Sequence, residues 1–246
     1  MVLGTFIKTA AHQVAEVVGR SGLDFAILDA EHAPFDQPSL DRVVLGAASV
    51  GLPCLVRVAD LTPAPIGQCL DLGAAGVLAP HVASAQAAGQ VVAAVKYAAG
   101  QRGFSPSTRA GGYGATPAAD YLARADRESS VWCQIEDAAA LDHLDEIAAV
   151  DAVDCLFLGR ADLALSLGVA SPGDPRVLDA VRATAEAGRR HGRAVGVYLS
   201  DMGEARDLLA LGITVLACGS DQSFLLAQGR RIREDLDRTI DERDRQ

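Results

Sequence analysis

The chain has 246 residues, half of them apolar, and a formal charge of −10 at pH 7 with acidic and basic residues interspersed. A chain of this length buries roughly three quarters of its unfolded surface and is globular; its acidity excludes a polyanion-binding surface, which needs clustered lysine and arginine, so nucleic acid is not expected as a partner. No apolar run approaches the roughly 20 residues of a membrane span and no basic leader precedes one, so a soluble, cytoplasmic protein without a membrane partner is expected.

Short apolar runs alternate with alanine-rich helical stretches. The first run, LGTFIK (3–8), carries little polar chemistry. The second, FAILDA (25–30), opens into Asp29, Glu31 and His32, and the third, CLVRVA (54–59), holds Arg57. Thr62-Pro63 then reads as a capping oxygen before a proline at the first helical position, in a helix that has Asp71 in its last turn and stops at Gly73. The fourth run, GVLAP (76–80), is followed by His81. The long connection from there to Val131 contains RGFSPSTRAGGYG (102–114), too rich in Gly, Ser and Pro for a core element and read as a functional loop or lid.

Thr116-Pro117 reads as the next helix start. The fifth run, VWCQIE (131–136), ends in Gln134 and Glu136; the sixth, DCLFLG (154–159), leads into Gly159, Arg160, Ala161 and Asp162. Asp174-Pro175 opens a helix that stops at Gly192. The seventh run, AVGVYL (194–199), another helix ending at Gly212 and the eighth run, ITVLACG (213–219), follow, and the charged end REDLDRTIDERDRQ reads as a helix fraying into a solvated tail. Five widely spaced cysteines, mostly within apolar segments, read as reduced core thiols.

About eight apolar runs separated by helices predict a closed parallel α/β barrel, a (β/α)8 TIM barrel formed by residues 1–246 as a single domain, because strands buried on both faces read as nearly continuous apolar segments. In such a barrel the carboxyl ends of the strands open on one face, which carries the chemistry. The polar residues collect at the ends of strands two to six, while strands one, seven and eight contribute much less. A strand has a side-chain period of two, so Gln134 and Glu136 share the inner side and Ile135 points out to the helices.

Glu136 and Asp162 read either as helix and turn caps or as an oxygen-rich site for a hard divalent ion such as Mg²⁺ or Mn²⁺. His32 is the side chain matched to proton transfer near neutral pH, or a turn histidine bonded to backbone. Arg57, a guanidinium at the inner end of a buried strand, must meet an anion; either it pairs with Asp29 or Glu31 or it clamps a substrate.

The stretches LDAEHAPFD, LVRV, LDLGAAGVLAP, QIED and LFLGRADLALSLG, in this order and spacing, resemble the metal-dependent pyruvate aldolases that cleave 4-hydroxy-2-oxo acids, of the hydroxy-oxo-heptanedioate and dehydro-deoxy-glucarate type. The resemblance implies that Glu136 and Asp162 hold a divalent ion (Mg²⁺, Mn²⁺ or Co²⁺, with Zn²⁺ an alternative). It implies that Arg57 contacts the keto oxygen of pyruvate or a close 2-oxo acid such as hydroxypyruvate. Gln134, with Gly159, Arg160 and Ala161, would set the substrate's position, His32 would act as acid/base on the hydroxyl of the breaking bond, and Asp29 would support that set from behind. It further implies that Asp71 reaches His32 of an adjacent subunit, in a homo-oligomer, a trimer or hexamer, whose last helix is exchanged between neighbours; the segment from Ser223 to Leu236 suits that exchange.

Arg160 stands where many members of that family have proline, so Arg160, or Arg109 in the loop, is a candidate for binding a carboxylate or polar oxygen of the aldehyde, against a surface ion pair as the other reading. His81, at another strand end, reads as a structural hydrogen-bonding group or as one that touches substrate, and Tyr113 as part of a glycine turn or as the source of a hydroxyl. No Schiff-base lysine is expected, Lys96 lying on a helix away from the carboxylates. The expectation is a class II aldolase that joins or releases a 2-oxo acid and an aldehyde. Its rivals are a malyl- or citramalyl-thioester lyase and a barrel that binds a 2-oxo acid without turning it over.

Overall fold

A computed structural model describes residues 1–244. Eight parallel strands close on one another in chain order: β1 (Val2–Ile7), β2 (Phe25–Asp29), β3 (Cys54–Arg57), β4 (Gly76–Ala79), β5 (Ser130–Ile135), β6 (Cys155–Leu158), β7 (Ala194–Leu199) and β8 (Val215–Ser220). The helices are α1 (His12–Gly19), α2 (Gln37–Ser49), α3 (Pro63–Asp71), α4 (Ala85–Val95), α5 (Ala118–Glu128), α6 (Leu144–Ala149), α7 (Arg160–Ser166), α8 (Pro175–His191), α9 (Ala205–Ala210) and α10 (Asp221–Asp244). The eight strands expected from the apolar runs are all present, within one or two residues at most ends. No described helix is long and apolar enough to cross a membrane.

Alternation along each strand divides the core in two. Ile7, Leu28, Val56, Ile135 and Leu158 face outward and pack with α-helical residues such as Val43, Ile66, Val91 and Val181. Phe25, Ile27, Leu55, Trp132, Phe157 and Val215 fill the inside of the cylinder. Phe25 and Trp132 meet edge to face at 5.3 Å, and Trp132 stacks on Phe157 at 5.9 Å between ring centroids. Glycine makes room for these rings: a Cβ at Gly4 would lie 2.6 Å from Phe25, and one at Gly196 2.6 Å from Phe157. The next inward positions up each strand are polar. Phe25 and Ile27 lead to Asp29, Leu55 to Arg57, Trp132 to Gln134 and Glu136, and Phe6 to Lys8, so the plug of rings is the floor of a polar mouth.

The helix ends follow local chemistry with two differences from expectation. Asp36 caps α2 in a reciprocal box with Ser39, and the Asp174 carboxylate accepts from the Arg176 amide at the start of α8. Thr62 does occupy the cap position of α3, but its hydroxyl is spent on Asp60 and makes no capping bond. At Thr116-Pro117 the helix starts a residue later, at Ala118, with Pro117 itself in the cap position, so Thr116 caps nothing there. Gly73, Gly192 and Gly212 each follow a helix in the left-handed region, as their positions predict.

The five cysteines are free thiols, four of them buried. Burial pushes Cys54, Cys69 and Cys133 up to about 12, which keeps them protonated and inert. The C-terminal segment is one helix as far as Asp244 rather than a frayed end; residues 245–246 lie outside the described part. Along it Leu225, Leu226, Ile232, Leu236 and Ile240 are exposed.

Candidate active site

A cavity of about 250 Å³ opens at the carboxyl ends of the strands and is lined by Lys8, His32, Arg57, Gln134, Gly159, Arg160, Ala161 and Asp162, with Phe6, Phe157, Tyr198 and Ser220. It therefore brings together most of the residues singled out in the sequence.

One wall is an ion-pair lattice. Asp29, the last residue of β2, is fully buried and accepts from Arg57 Nε at 3.0 Å. Its other oxygen lies 2.8 Å from Arg57 Nη2 and 3.1 Å from Lys8 Nζ, while the His32 amide donates to the first, Oδ1, at 3.1 Å. Burial pulls the Asp29 carboxyl upward, but the Arg57 guanidinium and these bonds outweigh it and hold the group below its ordinary value. Arg57 Nε also lies 3.3 Å from Glu31 Oε2, and its guanidinium lies over the Phe6 ring at 5.2 Å. Arg57 is therefore internally paired, and it also faces the cavity. The imidazole of His32 stands in the mouth, half-exposed, 3.6 Å from Glu31 Oε2.

The opposite wall carries the carboxylates. Glu136 follows the last residue of β5 and is 1% exposed. Its Oε1 accepts from the His81 amide at 2.8 Å, and its Oε2 accepts a short bond from the Gln134 side-chain amide. Burial pushes the Glu136 carboxyl above its ordinary value, the His81 and Gln134 bonds oppose that, and the negative charge of Asp162 adds to the rise. Asp162 enters from the first turn of α7 and lines the cavity. Gly159 is a close-approach position: a Cβ there would lie 2.7 Å from Glu136 Oε2 and 2.9 Å from Gln134 Nε2.

His81 is held at φ 53°, an uncommon conformation for a residue with a side chain. Its ring lies 3.2 Å from Asp137 and 3.7 Å from Glu31, so it ties the ends of β4, β5 and β2 together as a structural group. Burial lowers its basicity, but the neighbouring carboxylates, Glu136 foremost, raise it overall.

Two candidates lie elsewhere in the same chain. Asp71, at the end of α3, meets Arg102 Nη2 at 3.3 Å and does not touch His32 of its own chain; burial raises its carboxyl and the Arg102 cation opposes that. Arg102 is buried, packed on the Tyr97 ring at 4.3 Å. Arg109 bridges Asp41 on α2, at 2.6 Å, and the carbonyl of Leu72, at 3.1 Å. The 102–114 segment packs against α2 and the end of α3, and none of its residues lines this cavity. Arg160 pairs with Glu204 at 2.7 Å, the ion-pair reading, and also lines the cavity.

Sequence reasoning passed over Lys8, Tyr198 and Ser220. The signal was there: on β1, Phe6 and Lys8 share the inward parity of Gly4, and on β7, Tyr198 shares that of Gly196, so any polar residue at those positions ends up in the mouth.

The donor set suits a hard divalent cation. Glu136 is buried and feels the negative charge of Asp162, and the carbonyl oxygen of Gln134, whose side-chain amide bonds Glu136, is buried with no partner among the described residues. No group of three or more His, Cys, Asp or Glu that could hold a metal ion occurs among the described residues. A cation on Glu136 and Asp162 would need water or substrate oxygens to complete its shell.

The profile of the HpcH/HpaI aldolase/citrate lyase family matches residues 3–227. The chain is 35% identical over 227 residues to a 5-keto-4-deoxy-D-glucarate aldolase of Klebsiella pneumoniae, covering 86% of this chain and 88% of that one. A solved HpcH/HpaI aldolase/citrate lyase family protein from Burkholderia cenocepacia superposes with a TM-score of 0.89 at 30% identity, over 96% of this chain and 94% of that one. An HpcH/HpaI aldolase from Desulfitobacterium hafniense does so with 0.90 at 26% identity, over 96% and 92%.

Proposed function

This chain belongs to the HpcH/HpaI aldolase/citrate lyase family and is a carbon–carbon lyase, and from that premise we propose that it is a divalent-metal-dependent aldolase that reversibly cleaves a 4-hydroxy-2-oxo acid into pyruvate, or a close 2-oxo acid, and an aldehyde. The observation that carries this reading is the meeting of Gln134, Asp162 and Arg57 in one cavity at the barrel mouth, with Glu136 buried directly behind Gln134 and Gly159.

Glu136 and Asp162 would hold the cation, which when bound supplies Lewis-acid polarisation of the 2-oxo acid and offsets the negative charge of the enolate. Arg57, oriented by Asp29 and Glu31, donates to the keto oxygen and strengthens that bond as charge develops there. Gln134 and the Gly159–Ala161 turn position the carboxylate end. His32 takes the proton from the hydroxyl at C4; the C3–C4 bond breaks, the electron pair moves into the enolate, and the aldehyde leaves. Return of a proton to C3 gives the 2-oxo acid. No lysine is needed: the only described one in the cavity, Lys8, is paired with Asp29.

Asp71 completes the site only from a second copy. We place it beside His32 of a neighbouring subunit, in a trimer or hexamer closed in part by the exposed apolar row of α10. The test is retro-aldol release of pyruvate from 5-keto-4-deoxy-D-glucarate and shorter 4-hydroxy-2-oxo acids, with and without chelator. Chelator should abolish activity and Mg²⁺, Mn²⁺ or Co²⁺ should restore it; chelator-resistant activity that borohydride and pyruvate together inactivate would overturn the mechanism.

A further inference from the structure

The residues assigned to the 2-oxo acid occupy one side of the cavity, from the ends of β2, β3 and β5 to the turn after β6. The remaining wall is made by β7, β8 and β1, neighbours in that order around the closed barrel, and it contributes Tyr198, Ser220 and Lys8. Arg160 stands where the two sides meet.

Its side chain is 9% exposed, and its guanidinium meets Glu204 through the terminal nitrogens alone, Nη1 at 2.7 Å and Nη2 at 3.4 Å. Arg160 Nε is buried and has no partner among the described residues. A guanidinium presents five donors in a fixed plane, so Glu204 fixes that plane by one edge and leaves the Nε edge unmet. Buried N–H groups are almost always paired, so this donor, on a residue of the cavity wall, calls for a partner that the described residues do not supply. Glu204 itself is 57% exposed, in the loop between β7 and α9, where water screens its charge and leaves much of the cation uncancelled. At the other flank of this wall Lys8 is partly exposed, and its one ion-pair partner among the described residues, Asp29, is already engaged by Arg57.

We propose that Arg160 is a specificity-determining residue that receives, through its Nε edge and with Lys8 at the far flank, a carboxylate carried by the aldehyde half, while Tyr198 and Ser220 between them take the hydroxyl groups of that half. This deepens the aldolase reading and rests on it. The acceptor class is an acidic hydroxyaldehyde; a purely hydrocarbon aldehyde leaves the Arg160 donor unpaired. Glu204 is a positioning residue that holds the guanidinium.

The experiment is the condensation of pyruvate with two aldehydes that differ only in one group: 2-hydroxy-3-oxopropanoate, which carries a carboxylate, and glyceraldehyde, which has a hydroxymethyl there. The wild-type protein should favour the acid in kcat/KM, and Arg160→Gln should lower that preference at least thirtyfold, mainly through KM for the acid. Lys8→Gln, which alters a partly exposed side chain, should lower it about tenfold and serves if Arg160→Gln does not fold. Equal losses on both aldehydes, or no preference in the wild type, would overturn the proposal. Deuterium exchange into the methyl group of pyruvate by the wild type, which needs the donor half alone, separates the two failures: without exchange or cleavage the aldolase reading falls, and with exchange but no acid preference only the role of Arg160 does.

Discussion

Asp29 and Arg57, twenty-eight residues apart in the chain, meet through two contacts, Nε at 3.0 Å and Nη2 at 2.8 Å, with the Asp29 side chain fully buried. The register of β2 on β3 sets the pair, because Asp29 lies directly beside Arg57 in the ladder. Asp29→Asn keeps the shape and removes the charge, leaving a buried guanidinium with Glu31 alone. The expected cost is about 3 kcal/mol or more, the usual result of breaking a buried pair from one side, read as a lower urea midpoint with unchanged slope.

The same pair sets an acid limb. The carboxyl of Asp29 is lowered in the folded state, so its stabilisation is fully present above its ordinary value of 3.8 and is lost as pH falls through the folded value. Stability measured from pH 5 down to pH 2 should fall more steeply for the wild type than for Asp29→Asn; parallel curves would show that Asp29 does not titrate as the structure requires.

Glu136→Gln and Asp162→Asn should each reduce cleavage by about a thousandfold or more, since several kcal/mol of charge stabilisation rest on the cation they would hold. A second readout is independent of turnover. Mn²⁺ should raise the melting temperature of the wild type by mass action and leave both variants unmoved. Without metal, Glu136→Gln should melt no lower than the wild type, because burial and Asp162 both disfavour the Glu136 charge.

Gly159→Ala places a methyl group 2.7 Å from Glu136 Oε2. The carboxylate must shift, and a misplacement on the order of 1 Å costs about a hundredfold in rate. The expected loss in kcat exceeds any loss in stability, and a weaker Mn²⁺ affinity by calorimetry should accompany it.

Gly196→Ala tests the floor instead of the mouth. The added methyl group meets the Phe157 ring at 2.6 Å, and such overpacking costs about 1–3 kcal/mol. Thermal unfolding should register it, while KM for the 2-oxo acid changes less than for Gly159→Ala.

The proposed pairing of Asp71 with His32 of another subunit predicts complementation. His32→Ala and Asp71→Ala should each be inactive alone, whereas co-expressed chains should recover part of the wild-type rate, since some sites then combine an intact His32 with an intact Asp71. No recovery in mixed oligomers would place both groups outside a shared site.

Strands buried on both faces leave long apolar runs, which is why all eight were legible and why the polar residues ending β2, β3, β5 and β6 stood out as a set. The same reading hid Lys8, Tyr198 and Ser220, because a lone polar residue in or beside an apolar run is visible only through its parity. Contacts across the chain were beyond reach. Nothing local links Arg160 to Glu204 or Arg102 to Asp71; these meet because the barrel brings distant loops together. Thr116 failed as a cap for a related reason, since the backbone of Gly112, Tyr113 and Gly114 turns just ahead of it and Pro117 takes over the helix entrance.

Phe25, Trp132 and Phe157 seal the cylinder from below, so traffic has a single doorway. If the ketoacid lodges, as proposed, against Glu136 and Gln134, nearest that seal, the aldehyde occupies the exit in front of it. Departure must then be sequential, the outer fragment first, and in the synthetic direction pyruvate must arrive before its companion. Product-inhibition patterns should carry that order as a signature of the blocked floor.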